Sequence, residues 1–218
     1  MPNTTTTEAI NERYTGLAEE CCSLSCGGAF DKSGPEKGDV CVDLGSGRGN
    51  DVIRLSEQVG PEGYVYGIDI SEGMIAKARR NLEKFEITNA EIRQANLEQL
   101  PLESKSVNLL ISNCTINHAE NKDAVWSEIY RVLKNGGRFV VSDIYSLDAV
   151  PEEFRNDPAA VAECWAGSVT RETYLAQLKN AGFGDVRILD ESIPYEKGKI
   201  KVASWTIQGQ RTRCCSVG

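Results

Sequence analysis

Asp43 and Asp69 stand 26 positions apart, each two residues from a glycine. The first leads into Gly45-Ser46-Gly47-Arg48-Gly49, where a short apolar run gives way to a helical pattern. Glycines at such a point let the backbone turn sharply and approach a ligand with no Cβ in the way. Dinucleotide-binding folds use a similar loop, so the glycines alone leave the ligand open. An acidic side chain at Asp43 is poorly placed against a pyrophosphate. It suits a cationic amino-acid end, met through water or directly. Asp69 closes the next apolar run, Gly67-Ile68-Asp69, where a carboxylate can accept both hydroxyls of a ribose. Ser71 is the predicted N-cap of the helix that follows, and Met74 turns back toward the nucleoside as a soft apolar wall.

Sulfur is the other candidate chemistry. The chain has eight cysteines and one histidine. Cys114 follows Ile111-Ser112-Asn113 at the expected carboxyl end of a strand, the edge that faces the ligand crevice of an open α/β sheet. Cys164 comes 50 residues later, in Glu163-Cys164-Trp165-Ala166-Gly167, within an irregular segment of the kind that covers a substrate. On its own, Cys114 reads as a core residue. Cys41, inside a central strand, reads as a small core filler. Cys21, Cys22 and Cys26 lack the second Cys-x-x-Cys pair expected of a zinc site. The vicinal pairs Cys21-Cys22 and Cys214-Cys215 could close on themselves only with strain, which suits capture or exchange better than a fixed bridge. His118 reads as a surface or supporting histidine, and Trp165 either walls a pocket or packs.

Seven short runs must position these groups: Val40–Leu44, Tyr64–Ile68, Glu91–Arg93, Val107–Ser112, Phe139–Ser142, Val186–Asp190 and Ile200–Gln208. The early ones alternate with helical patterns at Met74–Phe85 and Asp123–Leu133. Strand and helix in alternation predict a doubly wound, mostly parallel, seven-stranded α/β sheet with helices on both faces. Leu147–Ala166 is helical but irregular, and Thr170–Ala181 is a capped helix. Asn135-Gly136-Gly137 and Ala181-Gly182-Phe183-Gly184 are expected helix stops. The expected divisions are a cysteine-bearing cap over residues 1–39, a main domain over 40–209 with a substrate-covering insertion at about 145–168, and a flexible cysteine-bearing tail over 210–218. Met1–Thr7 and Gln210–Gly218 are expected to be disordered unless a ligand holds them.

Composition bounds the partners. A net charge of −8 argues against nucleic acid, whose phosphates need a cationic surface. The first twenty residues carry no apolar run and no basic start, so they do not read as a secretory signal. No stretch approaches the ~18 apolar residues of a membrane helix. The expectation is a cytoplasmic protein, in which cysteines serve as core fillers, soft-metal ligands or redox groups.

The glycine loop, Asp69 and the Ser71-x-x-Met74 start together resemble the motifs of class I S-adenosylmethionine methyltransferases. The resemblance implies that S-adenosylmethionine is the cofactor. It implies a cofactor site made of Asp43, Gly45, Ser46, Gly47, Asp69, Ile70, Met74, Asn96, Leu97 and Asn113. Ala95-Asn96-Leu97-Glu98 matches the turn that holds the adenine, with Asn96 where many relatives have Asp. Val132-Leu133-Lys134-Asn135-Gly136-Gly137 matches the turn before the fifth strand, with Asn135 where Pro is usual. Ile111–Asn117, Ser142-Asp143-Ile144-Tyr145 and Glu163–Ser168 resemble the arsenite methyltransferase family within that class. In that family both cysteines bind trivalent arsenic, which by resemblance points to Cys114 and Cys164. The implied substrate is arsenite or methylarsenite. A third thiol should complete the site: Cys26, or one of Cys21, Cys22, Cys214 and Cys215. The stretch before the first strand is shorter than the family's, as is the carboxyl-terminal region.

The chemistry agrees with the resemblance. Trivalent arsenic is thiophilic, and its lone pair can attack a sulfonium methyl without a general base. The product is formally pentavalent, and a thiol pair could return two electrons as a disulfide. A thiol reductant such as thioredoxin or glutathione would then be a partner. Methylation of a small organic nucleophile, a quinone precursor or a thiol, is the alternative. It calls for a base near the fourth strand, where Asn113, His118 and Glu163 are the candidates. A thiol-rich protein that sequesters metalloid is a third reading.

Overall fold

A strand alternates its side chains between two faces, and Val40–Leu44 does so: Cys41 packs in one buried cluster, Val42 and Leu44 in another. That division runs through the whole molecule. A computed structural model describes residues 4–20 and 27–212. Its strands are β1 (Val40–Leu44), β2 (Tyr64–Asp69), β3 (Ala90–Gln94), β4 (Val107–Asn113), β5 (Leu133–Ser146), β6 (Val186–Glu191), β7 (Tyr195–Lys197) and β8 (Ile200–Gln210). They form one sheet in the order β3-β2-β1-β4-β5-β8-β6, seven strands on the main path, with the short β7 paired to β8. β1 to β5 run parallel, while β6, β7 and β8 add antiparallel pairs.

The helices are α1 (Thr6–Leu17), α2 (Ala29–Ser33), α3 (Asn50–Val59), α4 (Glu72–Lys84), α5 (Lys122–Val132), α6 (Glu152–Arg155), α7 (Pro158–Ala162) and α8 (Arg171–Asn180). Residues of α2, α3 and α4 share the Cys41 cluster, while α5 and α8 share the Val42 cluster, so both faces of the sheet are covered. Burial pushes the Cys41 thiol up to about 12, which fits a core filler. A smaller cluster joins Ile144, Val161, Cys164, Trp165 and Val202, with Cys114 packed against it.

Several expectations are corrected. Asn135-Gly136-Gly137 does not stop a helix: α5 ends at Val132, and Leu133 is already extended and paired with Val107. The glycines instead sit in an irregularity of the β4–β5 ladder, which resumes at Leu109 and Arg138, with Gly136 at φ 85°. Gly182 does end α8, at φ 105°, with the Phe183 N–H donating to the Leu178 carbonyl. The amino end is ordered from Thr5, whose side chain and Glu8 form a reciprocal capping box for α1. At the other end Gln210 pairs with Arg138, and the Arg211 guanidinium donates to the carbonyls of Tyr130, Arg131 and Leu133. Cys21, Cys22, Cys26, Cys214 and Cys215 lie outside the described residues. Among the described residues no helix is long and apolar enough to cross a membrane.

Candidate active site

At the carboxyl edge of the parallel strands lies a cavity of about 560 Å³. Its first half is made by the loops after β1, β2 and β3. Gly45, at φ 70°, is pressed against Thr115: a Cβ there would stand 2.0 Å from the threonine hydroxyl oxygen. Gly47, at φ 51°, has nothing within 4 Å of the same position, which leaves an open backbone face on the cavity. Asp69 accepts the Gly47 N–H at 2.8 Å with one oxygen and the Ser71 N–H at 2.8 Å with the other. The carboxylate is thereby fixed at the cavity wall with acceptor capacity to spare. Ser71 caps α4 by accepting from the Met74 N–H, and the buried Met74 forms an apolar wall with Ile70 and Leu97. Asn96 and Glu98 add polar edges.

Asp43 and Ser46 were expected to line this site, yet neither reaches the cavity. Both side chains are buried. Burial first, then Asp51 and Asp69, pushes the Asp43 carboxyl well above its usual range. Cradle and wall fit a nucleoside that carries a cationic amino-acid tail. The loop leaves backbone exposed, Asp69 presents oriented oxygens, and acidic groups cluster where positive charge would lie.

The second half of the cavity carries the sulfur. Cys114 and Cys164 both line it, 50 residues apart in sequence, and the Cys164 thiol lies 3.5 Å from the Cys114 carbonyl. Both residues have left-handed backbone, with φ 52° at Cys114 and 75° at Cys164. That region is uncommon for any residue but glycine, and it costs of order 1–3 kcal/mol where the surroundings enforce it. Asn113 accepts from the Ala29 N–H and donates to Asp51, tying the end of β4 to α2 and α3. Gly167 lets the insertion close on the turn at Ile116–His118, since a Cβ there would meet the Asn117 carbonyl oxygen at 1.9 Å.

Beneath the thiols is a polar layer that the sequence reading did not assign. Asp143 takes the Asn117 amide and the Ile144 N–H on one oxygen, each at 2.8 Å, and lies 4.0 Å from the Cys164 sulfur. Its other oxygen is buried without a hydrogen-bond partner. Burial raises its carboxyl to about 7, with Ile144, Lys122 and Asn117 among the groups opposing the rise. Of the two roles expected for His118 the structure gives the supporting one: it is buried and lines the cavity, and burial lowers its imidazole to about 4. Trp165 packs against Phe154 and donates to Glu163; it does not line the cavity.

Thus Gly45, Gly47, Asp69, Ile70, Met74, Asn96, Leu97, Asn113, Cys114 and Cys164 converge on one cavity. Cys26, the expected third thiol, lies outside the described residues. Among the described residues no group of three metal-binding side chains forms. The main omission is α1, which roofs the cavity with Thr6, Ile10, Tyr14 and Leu17. Its Thr5-x-x-Glu8 capping signal was available in the sequence.

Comparison with known proteins agrees with this geometry. A family model described as a methyltransferase domain matches residues 35–189. An arsenite methyltransferase of Halobacterium salinarum is 38% identical over 174 residues, covering 79% of this chain and 44% of its own. One from Mus musculus is 32% identical over 197 residues, covering 85% of this chain and 49% of its own. The chain therefore spans about half the length of the curated relatives it matches. Among solved structures, an arsenic (III) S-adenosylmethionine methyltransferase from Chlamydomonas reinhardtii shares the fold, with a TM-score of 0.72 at 24% identity. That likeness covers 97% of this chain and 75% of the other.

Proposed function

This chain belongs to the methyltransferase-domain family, class I of the S-adenosylmethionine-dependent enzymes, and from that premise we propose that it methylates trivalent arsenic held by Cys114 and Cys164. The observation that carries the reading is the meeting of those two thiols in one cavity with Asp69, Met74 and Asn96. The bound cofactor would supply an electrophilic methyl on a sulfonium. Asp69 would hold its ribose, the Gly45–Gly47 loop its amino-acid end, and Met74, Leu97 and Asn96 its base. The Asp69 carboxylate, held by the Gly47 and Ser71 N–H groups, would also favour a cation nearby.

Each thiol displaces one hydroxide of arsenous acid as water, so loading needs no external base. Cys114 and Cys164 then fix the arsenic lone pair toward the methyl, at the ~3–3.5 Å of a near-attack geometry. Their left-handed backbone aims both thiols from irregular chain into the same space. Transfer leaves arsenic formally pentavalent, and a thiol pair returns two electrons by leaving as a disulfide. A thiol reductant such as thioredoxin or glutathione is therefore part of the proposal, as is a cytoplasmic setting that keeps the thiols reduced. Residues 145–168 act as the substrate cover, and the cysteines of residues 1–39 and 210–218, Cys26 first, supply the third arsenic ligand.

None of the three bases expected for the alternative, an organic nucleophile, is available. His118 is bonded at both ring nitrogens, Glu163 is engaged by Trp165 and Arg13, and Asn113 is an amide. The test is transfer of label from S-adenosylmethionine to arsenite in the presence of a thiol. C114S and C164S should each lower it by more than roughly 100-fold, since losing a positioned reactant costs that scale. Affinity for S-adenosylhomocysteine should stay within about twofold, because neither thiol forms the nucleoside wall. Full transfer in either variant would refute the acceptor assignment.

A further inference from the structure

His118 is the only histidine of the chain, and both its ring nitrogens are used. Nδ1 lies 3.0 Å from the Val161 carbonyl oxygen, and Nε2 lies 3.1 Å from the Tyr14 hydroxyl. A carbonyl can only accept, so Nδ1 carries the hydrogen and Nε2 the lone pair; the tyrosine hydroxyl then donates. Burial keeps the imidazole neutral, as this arrangement needs. The Val161 carbonyl also accepts the Cys164 N–H at 2.8 Å. One oxygen, through its two lone pairs, thus receives the histidine and the backbone of the left-handed cysteine.

The tyrosine belongs to α1, the roof of the cavity. On the cofactor side α1 is tied by Asn11 to the Glu72 N–H, by Thr15 to the Gly73 N–H and by the Leu17 carbonyl to Arg48. On the thiol side its described polar ties are Tyr14 to His118 and a half-exposed Arg13–Glu163 ion pair at 3.6 Å. Exposed pairs of that kind contribute little. The imidazole is the buried tie.

We propose that His118 is a positioning residue that bridges the roof helix α1 and the Val161–Cys164 segment, holding α1 through Nε2 and the Cys164 backbone through Nδ1 and the Val161 carbonyl. The bridge deepens the reading of the cavity as a methyl-transfer site. Its readouts, however, need neither arsenic nor turnover, so it can fail while that reading stands.

Nitrogen NMR of the uniformly labelled full chain observes this single imidazole directly. The expected spectrum is a neutral ring protonated on Nδ1; a ring protonated on Nε2 overturns the proposal without any variant. Hydrogen exchange and peptide-resolved alkylation then separate the two bonds. Y14F should raise exchange of α1 amides roughly five- to tenfold, the scale of one net hydrogen bond, and leave Cys164 alkylation near the wild-type rate. H118N keeps a donor for Val161 but cannot reach Tyr14, and should match Y14F. H118Q keeps an acceptor for Tyr14 but loses the Nδ1 donor. It should leave α1 protected and speed Cys164 alkylation severalfold. Wild-type α1 exchange in Y14F, or identical behaviour of H118N and H118Q, would overturn the bridge.

Discussion

The two halves of the cavity are built on different principles. On the cofactor side, the loops that follow the parallel strands β1, β2 and β3 make the wall, and backbone N–H groups lock the Asp69 carboxylate in place. On the thiol side, the walls come from the three-residue turn at Ile116–His118, the chain that follows α7, and two cysteines in a backbone region that resists side chains. Strand ends and capping bonds set much of the first half. Contacts between distant segments hold the second together: Gly167 on Asn117, Cys164 near Asp143, and Tyr14 on His118. A nucleoside wall can be rigid because its ligand does not change shape. Under the proposed function, the acceptor wall would admit a metalloid, exchange ligands with it and release a product. Chain that is strained, short and roofed by a separate helix is suited to opening and closing.

Substitutions can break or sharpen this contrast. The largest effect should come from the cofactor-side loop. G45A adds a methyl that collides with Thr115 at a left-handed position, and should cost roughly 2–5 kcal/mol in thermal or denaturant unfolding. G47A, with open space around it, should cost about 1–2 kcal/mol from backbone alone. Equal losses would mean that the loop does not owe its shape to Thr115. D69A should weaken S-adenosylhomocysteine binding by roughly 1.5–3 kcal/mol by calorimetry, the range for a charge-assisted hydrogen bond. An unchanged affinity would remove the ribose assignment. The smallest effect concerns the other half. If Cys114 stores strain, C114G should unfold about 1 kcal/mol less readily than C114A, because glycine adopts φ 52° without penalty. Equal stability would show that the left-handed backbone carries no cost there.

The contrast also governs what the sequence made legible. Val40–Leu44 was read with its observed ends, Tyr64–Ile68 fell one residue short, and Ser71 caps α4 as expected. Alternating burial and capping are local signals, and a doubly wound sheet is mostly local signals in series. Where placement depends on distant chain, the reading faltered. Helix α1 presents only Ile10 as a buried residue, because it covers a cavity rather than a core. No apolar stripe announces it, and only its capping box could have done so. For His118 the sequence left surface and supporting roles open, because the partners that decide between them come from residues 14 and 161. Asp43 lies buried at the position the strand's period gives it, on the Cys41 face of β1. Cys114 and Cys164 were paired through resemblance. The fold supplies the physical reason, since both lie at the same edge of the sheet.

X-ray absorption at the arsenic edge, on the full chain loaded with arsenite, tests that pairing most directly. The account predicts arsenic bound through sulfur, with one sulfur neighbour fewer in C114S and one fewer in C164S. A sulfur count that both replacements leave unchanged would place the arsenic elsewhere and contradict the account.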